Sequence, residues 1–183
     1  RLARRLPLGR RFDGFDLSPD ASRMLLHSAA DTVTVIDAWN DRVLGEITGV
    51  AVNYESFNRA AVRFSPDGAR ISIVGSDGSL GVWDATSLER RWVVPAYPGP
   101  SPWPWSLGGG CWSPDGKKIA TLPADGRVQI WDAEQGQLVR EWRGRGPPCR
   151  HGTFSSDSRR IFLAGAAEHG LECWDVEHCE CLW

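Results

Sequence analysis

Residues Val62–Trp92 read VRFSPDGARISIVGSDGSLGVWDATSLERRW. Two turn signals divide the stretch. In Ser65-Pro66-Asp67-Gly68 the proline presets φ at the first corner and the glycine tolerates a positive φ. Asp77-Gly78 is the two-residue signal of a tight hairpin. The segments ARISIVG and SLGVWD that follow these turns carry an apolar residue at every second position, the period of a strand and not of a helix. Another short turn follows Asp84, and Glu89–Val94 supplies a fourth extended run. Four short antiparallel strands joined by consecutive hairpins are predicted.

The unit recurs. FDLSPDASRMLLHSAADTVTVIDAWNDRVLGEI starts at Phe15, GCWSPDGKKIATLPADGRVQIWDAEQGQLVREW at Gly110, and GTFSSDSRRIFLAGAAEHGLECWDVEHCECLW at Gly152. The corner residue falls at Pro19, Pro66, Pro114 and Ser156, in steps of 47, 48 and 42. The closing aspartate falls at Asp37, Asp84, Asp132 and Asp175, in steps of 47, 48 and 43. Nothing long enough for a helix interrupts the pattern. A four-stranded antiparallel unit cannot cover both its faces alone, whereas units stacked face to face around an axis do so.

These residues resemble WD40 repeats. The resemblance rests on FSPDG (Phe64–Gly68), WSPDG (Trp112–Gly116), SDGSLGVWD (Ser76–Asp84) and ADGRVQIWD (Ala124–Asp132). GLECWD closes the fourth copy and VTVID is a degenerate form in the first. The resemblance covers nearly the whole chain and implies an all-β propeller of about four four-stranded blades. Blade 1 is expected over 12–48, blade 2 over 60–94, blade 3 over 109–142 and blade 4 over 152–183, the last lacking a full outer strand. Residues 1–11 are expected as the outer strand of a preceding or closing blade. The repeated Asp77, Trp83, Asp84, Asp125, Trp131, Asp132, Trp174 and Asp175 are expected to be structural. Two departures stand out. No Gly-His pair precedes the first strands, and His169-Gly170 replaces the turn aspartate in the fourth copy. Blade rigidity is therefore expected to lean on packing of Trp83, Trp131 and Trp174 more than on the Asp-His-Ser/Thr-Trp network of the family.

Propellers of this family commonly hold roughly six to eight blades. Four blades are thus expected to be an incomplete ring or half propeller. The remainder is expected from the same polypeptide, from a second copy making an eight-bladed ring, or from a partner chain, the first being preferred on the abrupt ends.

The 183 residues are 42% hydrophobic and 24% charged, an ordinary globular composition. A formal net charge of −2 gives no general reason to expect nucleic acid, although RLARRLPLGRR at the start is locally basic. No run approaches the ~18 apolar residues of a membrane span, and no signal peptide is visible. Five cysteines at irregular spacing argue for reduced thiols and an intracellular, cytoplasmic protein. Cys173, Cys179 and Cys181 cluster near His169 and His178, yet no zinc spacing occurs, so neither metal nor cofactor is expected. No G-x-S-x-G or H-E-x-x-H is present, and Leu107–Gly110 lacks the GK[ST] of a phosphate loop, so no catalytic residues are assigned. The Leu107–Gly110 glycines are expected to let the chain turn sharply into a strand at Cys111.

What differs between the copies is the connection from each fourth strand to the next first strand: Thr48–Ala60, Val93–Gly110 and Arg143–Gly152. In WD40-like blades these connections share one rim with the Asp-Gly turns, the family's usual partner-binding surface. Partner contacts are expected from Tyr54, Phe57 and Arg59 in the first connection and Tyr97, Trp103 and Trp105 in the second. Arg143, Arg145, Arg150 and His151 are expected to contribute from the third. Aromatic and arginine side chains dominate interface hot spots, and arginine forks onto carboxylate or phosphate, so acidic or phosphorylated protein segments are the expected partners. The leading reading is a non-catalytic scaffold for a multiprotein assembly. A sensor or regulatory propeller of a larger signalling protein and an RNA-binding propeller are the alternatives, the near-neutral charge counting against the last.

Overall fold

The computed structural model describes residues 12, 14–28, 31–50, 61–96, 107–123, 125–146, 149, 151–165 and 170–183. Its strands form four sheets, each of four antiparallel strands in chain order. The first holds β1 (Gly14–Leu17), β2 (Arg23–Ser28), β3 (Thr32–Asp37) and β4 (Val43–Thr48). The second holds β5 (Ala61–Phe64), β6 (Arg70–Val74), β7 (Ser79–Asp84) and β8 (Arg90–Pro95). The third holds β9 (Leu107–Trp112), β10 (Lys118–Pro123), β11 (Arg127–Asp132) and β12 (Leu138–Arg143). The fourth holds β13 (His151–Phe154), β14 (Arg160–Ala164), β15 (Leu171–Asp175) and the two-residue β16 (Glu180–Cys181).

The register repeats with the sequence. Arg23 pairs with Asp37, Arg70 with Asp84, Lys118 with Asp132 and Arg160 with Asp175. First strands lie next to one another, β1 on β5, β5 on β9 and β9 on β13, so they form the inner edge of an arc of blades. The fourth strands lie on the outside, where β8 and β12 alternate exposed and half-buried residues. Among the described strands the first and fourth sheets are not packed together, so the arc stays open.

The apolar core sits between blades. Leu25, Val33 and Val35 of the first sheet meet Val62, Phe64, Ile71 and Ile73 of the second. Val74, Leu80 and Val82 meet Trp112, Ile119 and Trp131 of the third. Ala120, Leu122, Val128 and Ile130 meet Phe154, Ile161, Leu163 and Trp174 of the fourth. Burying each large aliphatic side chain contributes about 1.5–3 kcal/mol, so stacking of sheets stabilises what no single sheet could hold.

Polar latches cross the same junctions. Arg23 lies over the Phe64 ring at 5.4 Å and donates to the Gly68 and Ala85 carbonyls, both at 2.6 Å. One blade on, Arg70 lies over the Trp112 ring at 5.0 Å and donates to the Gly116 carbonyl at 2.8 Å. Trp92 on β8 donates its indole N–H to the Ala133 carbonyl at 3.3 Å and packs on Gly136. Gly136 has φ +69°, and a Cβ there would come within 2.7 Å of the Trp92 ring, so both backbone and packing require glycine.

One expectation is corrected. Leu107–Gly110, read as part of the second connection, is strand: β9 begins at Leu107, which pairs with Pro123 across a register shift. Three consecutive glycines have low strand propensity, but ladder pairing with β10 overrides it.

Candidate functional site

The arc has two rims of different character. One carries the Ser-x-Asp turns and the turns after the closing aspartates. There the same bonds recur in every blade. Ser18 donates to Asp20 at 2.6 Å, Ser113 to Asp115 at 2.6 Å, Ser155 to Asp157 at 2.5 Å, and Ser65 to Asp67. Each serine oxygen also accepts an amide N–H five residues on, from Arg23, Arg70, Lys118 or Arg160. The closing aspartates accept two backbone N–H groups apiece. Asp84 takes those of Thr86 and Ser87, Asp132 those of Glu134 and Gln135, and Asp175 those of Glu177 and His178.

These bonds favour the ionised form. The Ser18 hydroxyl, then the Ser22 amide, hold the Asp20 carboxyl down at about 2. The Ser87 amide, the Arg91 guanidinium and the Thr86 amide hold Asp84 well below the usual carboxylate range. The carboxylates of this rim are thus acceptors tied into turns.

The other rim carries the Asp-Gly turns and the connections. Tyr54, Phe57, Arg59, Tyr97, Trp103, Trp105 and Arg150 lie outside the described residues. Arg143, Arg145 and His151 are exposed at this rim. Arg143 pairs with Arg127 across the outer ladder and donates to the Asp125 carbonyl at 3.4 Å. Arg145 is anchored by its backbone: its N–H and that of Gly146 donate to the Glu172 carboxylate at 3.1 and 3.0 Å. His151 opens β13, opposite Ala164, which in turn faces Leu171 beside Glu172. Arg145 and His151 therefore sit at the same end of blade 4, with Arg143 on the neighbouring blade.

Glu172 had no signal in the sequence beyond its place in GLECWD. It also accepts the Trp174 indole N–H at 2.7 Å, so one carboxylate ties the core tryptophan of blade 4 to the start of the third connection. Blade 3 holds a longer relay. Trp131 donates to Thr121 at 2.9 Å, Thr121 to Gln129 at 3.0 Å and Gln129 to Glu141 at 2.8 Å. Glu141 and Asp125 are then joined by Arg127, at 3.1 and 2.6 Å. Blade 3 thus combines tryptophan packing with a polar path from Trp131 to the rim aspartate Asp125.

Between blades 1 and 2 a cleft of about 460 Å³ opens, lined by Glu46, Thr48, Asp77, Ser79, Trp83 and Arg90 among others. Its walls come from β4, Gly49 and Val50 of blade 1 and from β6, β7, β8 and Asp77 of blade 2. Sequence reading missed it, because no motif marks a space between two sheets. No disulfide joins the five cysteines, and burial pushes the Cys111 thiol up to about 12. Among the described residues no three His, Cys, Asp or Glu side chains converge as metal ligands, and no helix is long and apolar enough to cross a membrane.

The family described as WD domain, G-beta repeat matches the sequence over residues 57–84 and 96–132. The first match ends at the close of β7 and the second at the close of β11, each on the aspartate that the register places opposite Arg70 or Lys118. No curated protein matches the chain. Two stretches of the chain thus match WD40 repeats, and the four four-stranded antiparallel sheets with their common register are the all-β arrangement of a WD40 propeller whose ring is not closed.

Proposed function

We propose that the protein is a non-catalytic scaffold that holds other proteins in an assembly through its connection-bearing rim. WD40 repeats generally mediate protein–protein interactions and are typically non-catalytic. The observation that carries the reading is the contrast between the rims. The turn rim is the same in all four blades and its aspartates are consumed in turn hydrogen bonds. The connection rim differs from blade to blade and presents exposed Arg143, Arg145 and His151. Arg145 is held through its backbone, which leaves its guanidinium available to fork onto a carboxylate or phosphate. Acidic or phosphorylated protein segments suit this chemistry, with Tyr97, Trp103 and Trp105 as the aromatic anchors of the second connection.

The test compares rim variants on a panel of acidic and phosphorylated peptides, by fluorescence anisotropy. Arg143→Glu combined with Arg145→Glu should weaken binding at least about tenfold. Trp103→Ala with Trp105→Ala should weaken it similarly, while Ser155→Ala on the opposite rim should leave it unchanged. Equal binding by all variants would sink the reading. Binding to single-stranded RNA that falls steeply with salt would replace it with the nucleic-acid alternative.

A further inference from the structure

The three internal junctions each place one basic side chain at the same register, and in two of them it is latched. Arg23 and Arg70 reach the next blade's corner carbonyl, Gly68 or Gly116, and lie over the Phe64 or Trp112 ring. Arg70 also pairs at 3.5 Å with Glu134, the second residue after the closing aspartate of blade 3. The third junction holds Lys118 at that register, opposite Asp132. Lys118 is half-buried, and its ammonium makes no hydrogen bond or ion pair among the described residues. The counterpart of Glu134 there is Glu177, which is engaged from the outer strand instead. Arg140 donates to the Glu177 carboxylate at 2.9 Å and to its carbonyl at 3.3 Å. Arg140 stands opposite Ile130 as Trp92 stands opposite Val82, so an arginine in the place of that tryptophan takes the carboxylate away from the latch.

The cleft of about 340 Å³ at this junction lies on the turn rim, and a second unpaired cation borders it. Arg159 is exposed, and its guanidinium also makes no hydrogen bond or ion pair among the described residues. Ser158 adds a hydroxyl. The matching corners of blades 2 and 3 are Gly68 and Gly116, to which a positive φ costs nothing, whereas Ser158 takes φ 61° and is only 5% exposed. Its oxygen accepts the Asp115 N–H at 3.2 Å, and its own proton has no acceptor among the described residues. The acidic groups that line the cleft are already engaged. Glu177 is held by Arg140, and Asp175 accepts the Glu177 and His178 amides at 2.9 and 2.8 Å, with the His178 ring at 3.0 Å. Unpaired cations scattered over a surface are ordinary. Two on one cleft, with a buried hydroxyl beside them, are the donors that an oxyanion requires.

We propose that this cleft binds a phosphate monoester. Lys118 and Arg159 offset its two negative charges, the Arg159 fork takes two of its oxygens, and the Ser158 hydroxyl donates to a third. A dianion matches two cations better than a single carboxylate does. The volume lies near the lower end of the range for small-molecule sites, about 300–1,000 Å³, and so takes the phosphate with a short stem. Two sources share this chemistry, a phosphorylated side chain of another protein and a small phosphorylated metabolite. The site is separate from the connection rim and uses none of Arg143, Arg145 and His151.

Titration calorimetry of the 183-residue chain with glycerol phosphate tests this. Binding is expected, and Arg159→Gln and Lys118→Ala should each weaken it at least about tenfold. Arg159 is exposed, so the far-UV circular dichroism of its variant should be unchanged. Lys118→Arg is the sharper variant. It keeps the charge, but its fork should be drawn onto the Ser158 and Val176 carbonyls, as that of Arg23 is onto those of Gly68 and Ala85. Binding should then fall although the chain stays folded. Arg143→Glu with Arg145→Glu should leave it as it is, which separates this site from the other rim. In that double variant, a phosphoserine peptide that binds at least about tenfold tighter than glycerol phosphate would make a protein segment the source. Equal binding would make the source a small ester. No binding of either ester, or binding unaffected by Arg159→Gln, would overturn the proposal. So would full binding by Lys118→Arg, or loss of glycerol phosphate binding in the double variant.

Discussion

The junction between blades 2 and 3 and the junction between blades 3 and 4 are built at the same register position from different side chains. In the first, the Arg70 guanidinium stacks on Trp112, donates to the Gly116 carbonyl and pairs with Glu134 at 3.5 Å. The Trp112 indole N–H returns across the same junction to the Ser72 hydroxyl at 2.8 Å. In the second, the position belongs to Lys118, and Ser158 replaces the corner glycine. The crossing bond there runs from the Asp115 N–H to the Ser158 hydroxyl at 3.2 Å. Outer contacts make up part of the difference, with Arg140 pairing to Glu177 at 2.9 Å. A cleft of about 340 Å³ opens beside Lys118, lined by Ser158, Arg159, Asp175 and His178 among others. A planar fork fills and satisfies a blade junction where a flexible ammonium does not. The Ser-x-Asp turns, by contrast, are alike in every blade.

Acid should act on those shared turns and so has the largest expected effect. Asp20, Asp37, Asp67, Asp84, Asp115, Asp157 and Asp175 are all held below the ordinary carboxylate value. A group depressed in the folded state stabilises above its unfolded value, and that stability is lost as pH falls through the folded value. Thermal midpoints should therefore be flat from pH 7 to 5 and drop steadily from about pH 4 toward 2. A midpoint insensitive to pH across that window would remove the turns from the account.

Arg70→Ala comes next. It deletes a charge-assisted hydrogen bond and a ring contact from the stronger junction, for a loss of about 2–3 kcal/mol in urea unfolding. Arg70→Lys should recover part of it, and full recovery would mean that charge alone, without the fork, makes the latch. Ser72→Ala strips the Trp112 N–H of its buried acceptor and should cost about 1–2 kcal/mol, with no change in the slope against denaturant. The smallest effect runs the other way. Lys118→Arg converts the weaker junction toward the stronger one, with the Phe154 ring and the Ser158 corner carbonyl in the places of Trp112 and Gly116. A gain of about 0.5–1 kcal/mol is expected, and a loss would show that the two junctions are not interchangeable.

Much of this architecture was legible in the chain because its causes are local. A proline or glycine at a corner, a serine two residues before an aspartate, and an apolar residue at every second position each act within a few residues. Their repetition in steps of 47 and 48 residues announced sheets of four strands. The closing aspartates read as turn formers, and Asp84, Asp132 and Asp175 each receive two turn amides. Leu107–Gly110 was illegible for the opposite reason: its strand exists through pairing with β10, which three glycines cannot announce. Seven of the ten residues expected at the partner-binding rim lie outside the described segments, so that surface rests on Arg143, Arg145 and His151.

By itself the sequence determined strands, turns and their fourfold recurrence, since dihedral preference and side-chain alternation are properties of neighbours along the chain. Only the tertiary structure decided how blade meets blade. The acceptors of Arg23 and Arg70 are backbone carbonyls on another sheet, which every residue possesses and no residue type reveals. Glu172 gains its role in the same way, by lying where the Arg145 and Gly146 amides arrive from the preceding blade. Whether an arginine is latched, like Arg70, or exposed, like Arg160, depends on the presence of the next sheet, and that is set by packing in space.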